Sequence, residues 1–213
     1  GTGSGKTTLL KILDGKLEYD GEVFINGVLI EPGNDIFKKI RVIYRDFAFE
    51  EETVRKEIMF YAKKHGVDYF KLIDNLNDYF NINRLLKKKI TDLSKEEKIL
   101  IKIICSVIEK PMYLGIDDLL SYLNLRLKVI VLNYLEENNV ILINVTSNME
   151  DVLYTDYLLC LYDGISAIDG KVIEVLSNEQ LLKRMGFNLP FLVDLSIQLK
   201  AYGMINKVCL SNE

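Results

Sequence analysis

Residues 1–14 read GTGSGKTTLLKILD, and this run decides the fold. Gly1–Gly5 is a glycine-rich turn, and Lys6–Asp14 is patterned as a helix with Leu9, Leu10, Ile12 and Leu13 facing a core. A phosphate chain needs backbone N–H groups turned inward, which glycine permits because it tolerates positive φ and close approach. A helix starting directly behind the turn adds the positive end of its dipole. Lys6 then reaches the outer phosphates of a nucleotide, and the Thr7 hydroxyl serves a Mg²⁺ ion. Thr2, Gly3, Ser4, Gly5, Lys6, Thr7 and Thr8 together make the candidate nucleotide cradle. The full pattern G-x-x-x-x-G-K-[ST] sets its first glycine just before Gly1, so the chain is expected to begin inside the loop, with the strand that feeds it further upstream. The loop by itself indicates a phosphate-loop nucleotide binder, a property shared by kinases and GTPases.

Outward from the loop, Gly21–Ile25 and Val28–Ile30 read as a hairpin joined by the Asn26-Gly27 turn, and Arg41–Tyr44 as an apolar strand. Helical segments run from Thr53 to about Lys89. Ser94 with Glu97 three residues later is a capping box, followed by the apolar helix Ile99–Ile108. A helix around Arg126–Asn138 leads to the apolar strand Val140–Val145. Strands at Tyr157–Leu161 and Ala167–Ile173 follow, with Asp163-Gly164 and Asp169-Gly170 as turns at their ends. Ser177–Gln180 reads as a second capping box before closing helices. Strands alternating with helices predict an α/β protein with a parallel sheet.

The second chemical signal is Met112–Ile116, an apolar strand that delivers Asp117 and Asp118 at its C-terminal end. In a parallel sheet that end faces the ligand crevice. Asp117 is suited to hold Mg²⁺ together with Thr7, and Asp118 to polarise an attacking water.

Of the 213 residues, 49% are hydrophobic and 27% charged, the balance of a globular chain rather than a disordered one. The net charge of −4 argues against nucleic acid as a partner, because a phosphate backbone rewards a basic face. The apolar runs fall far short of the roughly 18–20 residues needed to cross a bilayer, so any membrane crossing is left to another chain. Cys105, Cys160 and Cys209 are widely spaced in apolar surroundings and read as buried reduced thiols, which fits the cytoplasm. His65 reads as part of a solvated helix end and Lys87–Lys89 as a solvated face. The aromatic run Phe47, Phe49, Phe60 and Tyr61 is either core or docking surface.

The order of phosphate loop, hairpin, helical insert, Ser-led helix, double-acid strand and apolar strand resembles the ATPase domains of ABC transporters. The tail SNEQLLKRMGFNLPFLVDLSIQLKAYG (Ser177–Gly203) and the stretch FAFEEETVRKEIMFYAKKHG (Phe47–Gly66) are similar to energy-coupling-factor (ECF) transporter ATPases. The resemblance implies a P-loop NTPase, RecA-like parallel sheet with helices, an ABC helical subdomain and a small antiparallel β hairpin. It divides the chain into a nucleotide-binding core at 1–55 and 106–175 whose N-terminal strand is missing, a helical signature subdomain at 56–105, and a truncated ECF-type helical tail at 176–213. It also implies ATP and Mg²⁺ as cofactors, and a peripheral location on the cytoplasmic face of the cell membrane. The implied partners are a membrane coupling subunit, met near the aromatic run, and a second ATPase subunit.

The match carries over unevenly. Gly3, Gly5, Lys6, Thr7 and Asp117 agree with the family pattern. The glutamine that senses the γ-phosphate falls on Arg45, and the water-positioning glutamate on Asp118. The LSGGQ signature appears as Leu93-Ser94-Lys95-Glu96-Glu97, read either as a capped helix start with no phosphate role or with Ser94 kept as a phosphate contact. Asn124 stands for the D-loop aspartate and Ser147 for the switch histidine. Shortening Glu to Asp withdraws the carboxylate by about 1 Å, enough to cost roughly a hundredfold in rate. Ser147 is too short and neutral to supply a cationic donor. Arg45 brings a fixed cation that either repels the metal or pairs with a phosphate oxygen. Nucleotide binding is therefore expected with impaired hydrolysis. The expected function is an ATP-binding subunit of a vitamin or metal-ion importer, active as part of a transport ATPase heterodimer. The alternative is a non-catalytic nucleotide-binding structural or regulatory partner. A different P-loop enzyme is disfavoured by the absence of an Asn-Lys-x-Asp motif.

Overall fold

The computed structural model describes residues 3–25, 27–31 and 34–208. Thr2, the Asn26 half of the hairpin turn and Cys209 lie outside the described residues. The chain forms two compact units, Thr8–Val145 and Gly1–Thr7 with Thr146–Glu213. Among the described residues no helix is long and apolar enough to cross a membrane.

The larger unit is organised by three parallel strands, β3 (Ile40–Ile43), β4 (Tyr113–Asp117) and β5 (Ile141–Val145), with β4 in the middle. The central strand is buried along Leu114–Asp117, as expected for a strand covered on both faces. The register sets Ile43 beside Ile116 and Asp117 beside Val145. Helix α1 (Lys6–Leu13) buries only Leu10 completely; Leu9, Ile12 and Leu13 are half-buried, a narrower core face than its pattern predicts. Gly115 explains why Leu10 goes deepest, since a Cβ on it would stand 2.9 Å from Leu10 Cδ2 and 3.0 Å from Val42 Cγ2. Strands β1 (Val23–Ile25) and β2 (Val28–Ile30) form the expected antiparallel hairpin.

Helices α2 (Val54–Lys64), α3 (Tyr69–Phe80), α4 (Lys95–Ile108) and α5 (Leu125–Glu137) complete this unit. Its core is continuous from Ile43 through Ile58, Leu76 and the fully buried α4 residues Ile99–Cys105 to Leu114 and Val131, with Lys102 the α4 exception. Capping starts each helix as the side chains dictate. Thr53 accepts from Lys56 N at the head of α2, and Asp68 accepts from Phe70 N and Lys71 N at α3. The Ser94 capping box forms in full: Ser94 Oγ accepts from Glu97 N at 3.1 Å, and Glu97 accepts from Ser94 N at 3.0 Å.

The smaller unit holds β6 (Tyr157–Tyr162), β7 (Ile165–Lys171), α6 (Val172–Leu176), α7 (Glu179–Arg184) and α8 (Phe191–Ala201). Its core gathers Val152, Cys160, Val175, Leu176, Leu182 and Val193. Three expectations fail here. Asp163-Gly164 does make a tight turn, with φ of 50° and 79°, but Asp169-Gly170 lies inside β7, paired with Leu159 and Leu158. The segment from Val172 is helical rather than the end of a strand, because Val172, Val175 and Leu176 recur at helical spacing and bury together. The second capping box also does not form. Ser177 Oγ donates back to Ile173 O at 2.7 Å, closing α6, and α7 starts after Asn178 with no side-chain cap.

Cys105 and Cys160 are buried free thiols, as expected, and burial raises both pKa values, that of Cys105 strongly. Two exposed-surface expectations need revision. The His65 side chain is only 25% exposed, with its Nε2 4.0 Å from a Glu109 carboxylate oxygen, because it closes α2 against the end of α4. In the Lys87–Lys89 run only the outer two lysines are exposed; Lys88 Nζ pairs with Glu97 at 2.9 Å.

Candidate functional site

The phosphate loop has the backbone its glycines permit. Gly3 and Gly5 take φ of 86° and 91°, values that exact strain from any residue with a Cβ, and Ser4 between them is buried. Helix α1 begins at Lys6, so the loop sits at a helix N-terminus of eight residues with no acidic residue in its first turn. Lys6 Nζ donates to Ser4 Oγ at 2.8 Å, which folds the ammonium back over the turn. Thr7 is half-buried and Thr8 exposed.

The acid pair lies where the sequence sets it, at the C-terminal end of the central strand. Asp117 ends β4 and is 3% exposed. Asp118 turns out of the strand through a left-handed φ of 55°, a region Asp tolerates better than most residues. Its N–H donates to Val145 O at 2.7 Å, so β5 fixes its backbone. Arg45, two residues past β3, brings a guanidinium nitrogen 2.8 Å from Asp118 Oδ2 and another 3.9 Å from Asp117 Oδ1. Its guanidinium thus meets both members of the acid pair. Its side chain is 57% exposed, so solvent screening leaves the pair about 0–1 kcal/mol of stability and its significance is positional.

The loop carrying Arg45 is anchored from behind. Glu57, fully buried on α2, accepts from Glu50 N at 2.9 Å and Glu51 N at 2.8 Å, and Lys102 donates to Ala48 O at 2.8 Å. Burial raises the Glu57 pKa, outweighing the backbone donors and Lys102, which lower it. The aromatic run divides between the two sequence readings. Tyr61 is core, Phe60 is exposed, and Phe47 and Phe49 are half-buried, packed edge to face with centroids 5.5 Å apart. These two line a cavity of about 380 Å³ with Arg45, Lys95, Lys98 and Leu119.

The LSKEE segment is spent on internal contacts. Ser94 and Glu97 cap α4. Burial works against the Glu97 carboxylate, but Lys88 and the Ser94 amide outweigh it and hold its pKa below the usual glutamate value. Glu96 Oε1 accepts from both Asn124 N and Asn124 Nδ2, each at 2.7 Å, while Asn124 Oδ1 caps α5 by accepting from Leu127 N at 3.0 Å. Lys95 Nζ lies 3.1 Å from the centroid of the Tyr122 ring. The Glu96–Asn124 clasp escaped the sequence reading, since the two residues are 28 apart and each looked only like a lost motif position. The paired signal was present, however: an amide replaces a carboxylate at 124 where a new carboxylate stands at 96.

Ser147 is exposed in the turn after Val145. Thr146 beside it donates to Asp151 at 2.9 Å and accepts from Asn148 N at 2.9 Å. Among the described residues no cluster of His, Cys, Asp and Glu could hold a metal by itself.

Comparison with known proteins places this geometry. The chain is 25% identical to an energy-coupling factor transporter ATP-binding protein of Pediococcus pentosaceus, across 89% of this chain and 72% of the relative. It is 29% identical to the corresponding protein of Mycoplasmopsis pulmonis, across 93% of this chain and 79% of that one. Among solved structures, cbiO1 of Clostridium perfringens, described as part of the ABC transporter complex cbiONQ, superposes with a TM-score of 0.70 at 20% identity, covering 96% and 84% of the two chains. A bacterial Atm1-family ABC exporter with ATP bound gives 0.73 at 18% identity over 87% of this chain and 35% of the exporter; both likenesses bear on fold alone. Residues 1–121 match the ABC transporter family, more than half of the chain, and with a phosphate loop opening α1 and an acid pair closing β4, the protein belongs to that family.

Proposed function

We propose that this chain is the ATP-binding subunit of an ECF-type importer, seated peripherally on the cytoplasmic face of the membrane, and that its own hydrolysis is impaired. The observation that carries the reading is the loop itself: positive-φ glycines on either side of a buried Ser4, directly ahead of α1, with the Lys6 ammonium folded over them. Such a loop suits a triphosphate, because inward amides and a helix N-terminus offer positive charge at no cost in reorganisation. The ECF assignment is supported by the relatives' names and by the tail from Ser177.

In this reading Thr2, Gly3, Ser4, Gly5, Lys6, Thr7 and Thr8 bind the nucleotide's phosphates. The Thr7 hydroxyl and the Asp117 carboxylate serve Mg²⁺, and the donor set fits it, since both are hard oxygen ligands and Asp117 is a buried carboxylate. The metal, when bound, neutralises phosphate charge. Asp118 takes the water-orienting place and Ser147 the switch place, both weakened. The core, helical signature subdomain and C-terminal tail keep the boundaries given above, and the partners are a membrane coupling subunit and a second, intact ATPase chain.

The test is equilibrium titration of the full-length protein with Mg·ATP, expected to saturate at one site. Lys6→Ala should weaken binding by about tenfold or more, the worth of one or more charge-assisted hydrogen bonds. No binding by the parent protein would remove the proposal. A second reading, a non-catalytic structural or regulatory half, is favoured by the Arg45–Asp118 contact. Turnover in the assembled transporter separates the two: unchanged turnover after Arg45→Gln and Asp118→Glu with Ser147→His favours the structural role.

A further inference from the structure

Strands β3 and β4 run parallel with Ile43 beside Ile116. Two residues beyond that last pair stand Arg45 and Asp118, at the same end of adjacent strands. The register therefore brings the two residues near one another, and the 2.8 Å contact joins guanidinium to carboxylate. Two further constraints keep the pair in place. The Asp118 backbone is held by its N–H bond to Val145 O, and the Arg45 loop by Glu57 and Lys102.

We propose that Arg45 is a positioning residue that governs Asp118: it commits one carboxylate oxygen to itself, so the substitutions at 45 and 118 act as one coupled pair. This rests on the ATP-binding reading above and adds a residue to its cause of slow hydrolysis. A carboxylate that orients water must be turned toward that water, and here the guanidinium on Oδ2 dictates which way the group faces. Lengthening Asp118 alone does not undo the arrangement, because a long, half-exposed arginine can follow a carboxylate one methylene further out. Removing the arginine alone leaves the carboxylate too short. Only the double change supplies both reach and release from the arginine's hold.

The experiment compares the parent protein, Asp118→Glu, Arg45→Gln and the double variant in the assembled transporter, measuring ATP turnover. The gain of the double variant should exceed the product of the two single gains by about tenfold, as coupled sites behave. It should appear in kcat, measured at saturating Mg·ATP for each protein so that changes in affinity do not enter. Equality of the double gain with that product would overturn the proposal. The pairing is read separately, without nucleotide, from the nitrogen-15 resonances of the Arg45 guanidinium. Asp118→Asn should release hindered rotation of its terminal nitrogens, and unchanged spectra would also overturn the proposal. Failure of the parent to bind Mg·ATP is a different result: it removes the underlying reading, and this consequence with it.

Discussion

Gly115 shows how much one residue can decide. It sits in the middle of β4, and the space a side chain would need is filled by Leu10 and Val42. Gly115→Ala sets a Cβ 2.9 Å from a Leu10 methyl, so the Leu10 and Val42 side chains or the strand must give way; overpacking of this kind costs about 1–3 kcal/mol. Chemical denaturation checks it, and a variant as stable as the parent would show that Leu10 moves freely. Glu96 is the second case. Its carboxylate accepts two hydrogen bonds from Asn124, so Asn124→Asp replaces a donor with a like charge. The loss expected is about 1–3 kcal/mol, much of it recovered in the double variant Glu96→Gln with Asn124→Asp, where a neutral amide faces the carboxylate. Neither Gly115 nor Glu96 announced its role in the sequence, because a glycine in a strand and a charge at a helix start are both commonplace until their neighbours are known.

At the scale of elements, the helical insert is held to the loop after β3 by a buried carboxylate. Glu57 has a pKa raised in the folded protein, since burial disfavours its charge more than the two amides favour it. The sign follows from proton binding: the folded state takes up this proton at a higher pH than the unfolded one does. The stability linked to Glu57 is therefore greatest below the ordinary glutamate value of 4.5 and declines as pH rises through the folded pKa. Glu57→Gln keeps an oxygen acceptor for Glu50 N and Glu51 N and removes the charge. Its melting temperature should equal or exceed the parent's at pH 7, with the difference vanishing near pH 4. A parent that loses stability relative to this variant on acidification would contradict the assignment. Glu97 runs the opposite way: its lowered pKa contributes stability above the unfolded glutamate value that is lost as pH falls through the folded one. The cap at Ser94 was legible from the sequence because it is local, spanning three residues. The failed cap at Ser177 was equally local, but the end of α6 competes for the same hydroxyl, and the first two residues of that helix had read as strand.

At the scale of the whole molecule, nucleotide should act as a stabiliser. A ligand bound only by the folded state at a hundred times its Kd adds about 2.7 kcal/mol. The melting temperature of the parent should thus rise with Mg·ATP concentration, while Lys6→Ala should show little rise over the same range. A parent whose melting point ignores Mg·ATP would contradict the nucleotide-binding reading. The heterodimer expected from the degenerate motifs is checked by sedimentation with Mg·ATP: this chain alone should stay monomeric and associate on addition of an intact ATPase subunit.

The sequence by itself determined what depends on short range and on pattern: the glycine loop, the apolar central strand ending in Asp117 and Asp118, the hairpin, the helix cap at Ser94, and the order of elements that marks the ABC family. Those features are encoded within a few residues, where backbone sterics and hydrophobic periodicity act directly. Tertiary structure alone decided who meets whom. The register of β3 against β4 sets Arg45 on Asp118, α4 against α5 sets Glu96 on Asn124, and the burial of α2 turns Glu57 into an anchor. Such contacts join residues tens of positions apart, and a change that reads as a lost function in one dimension becomes a partner for another change only when the chain is folded.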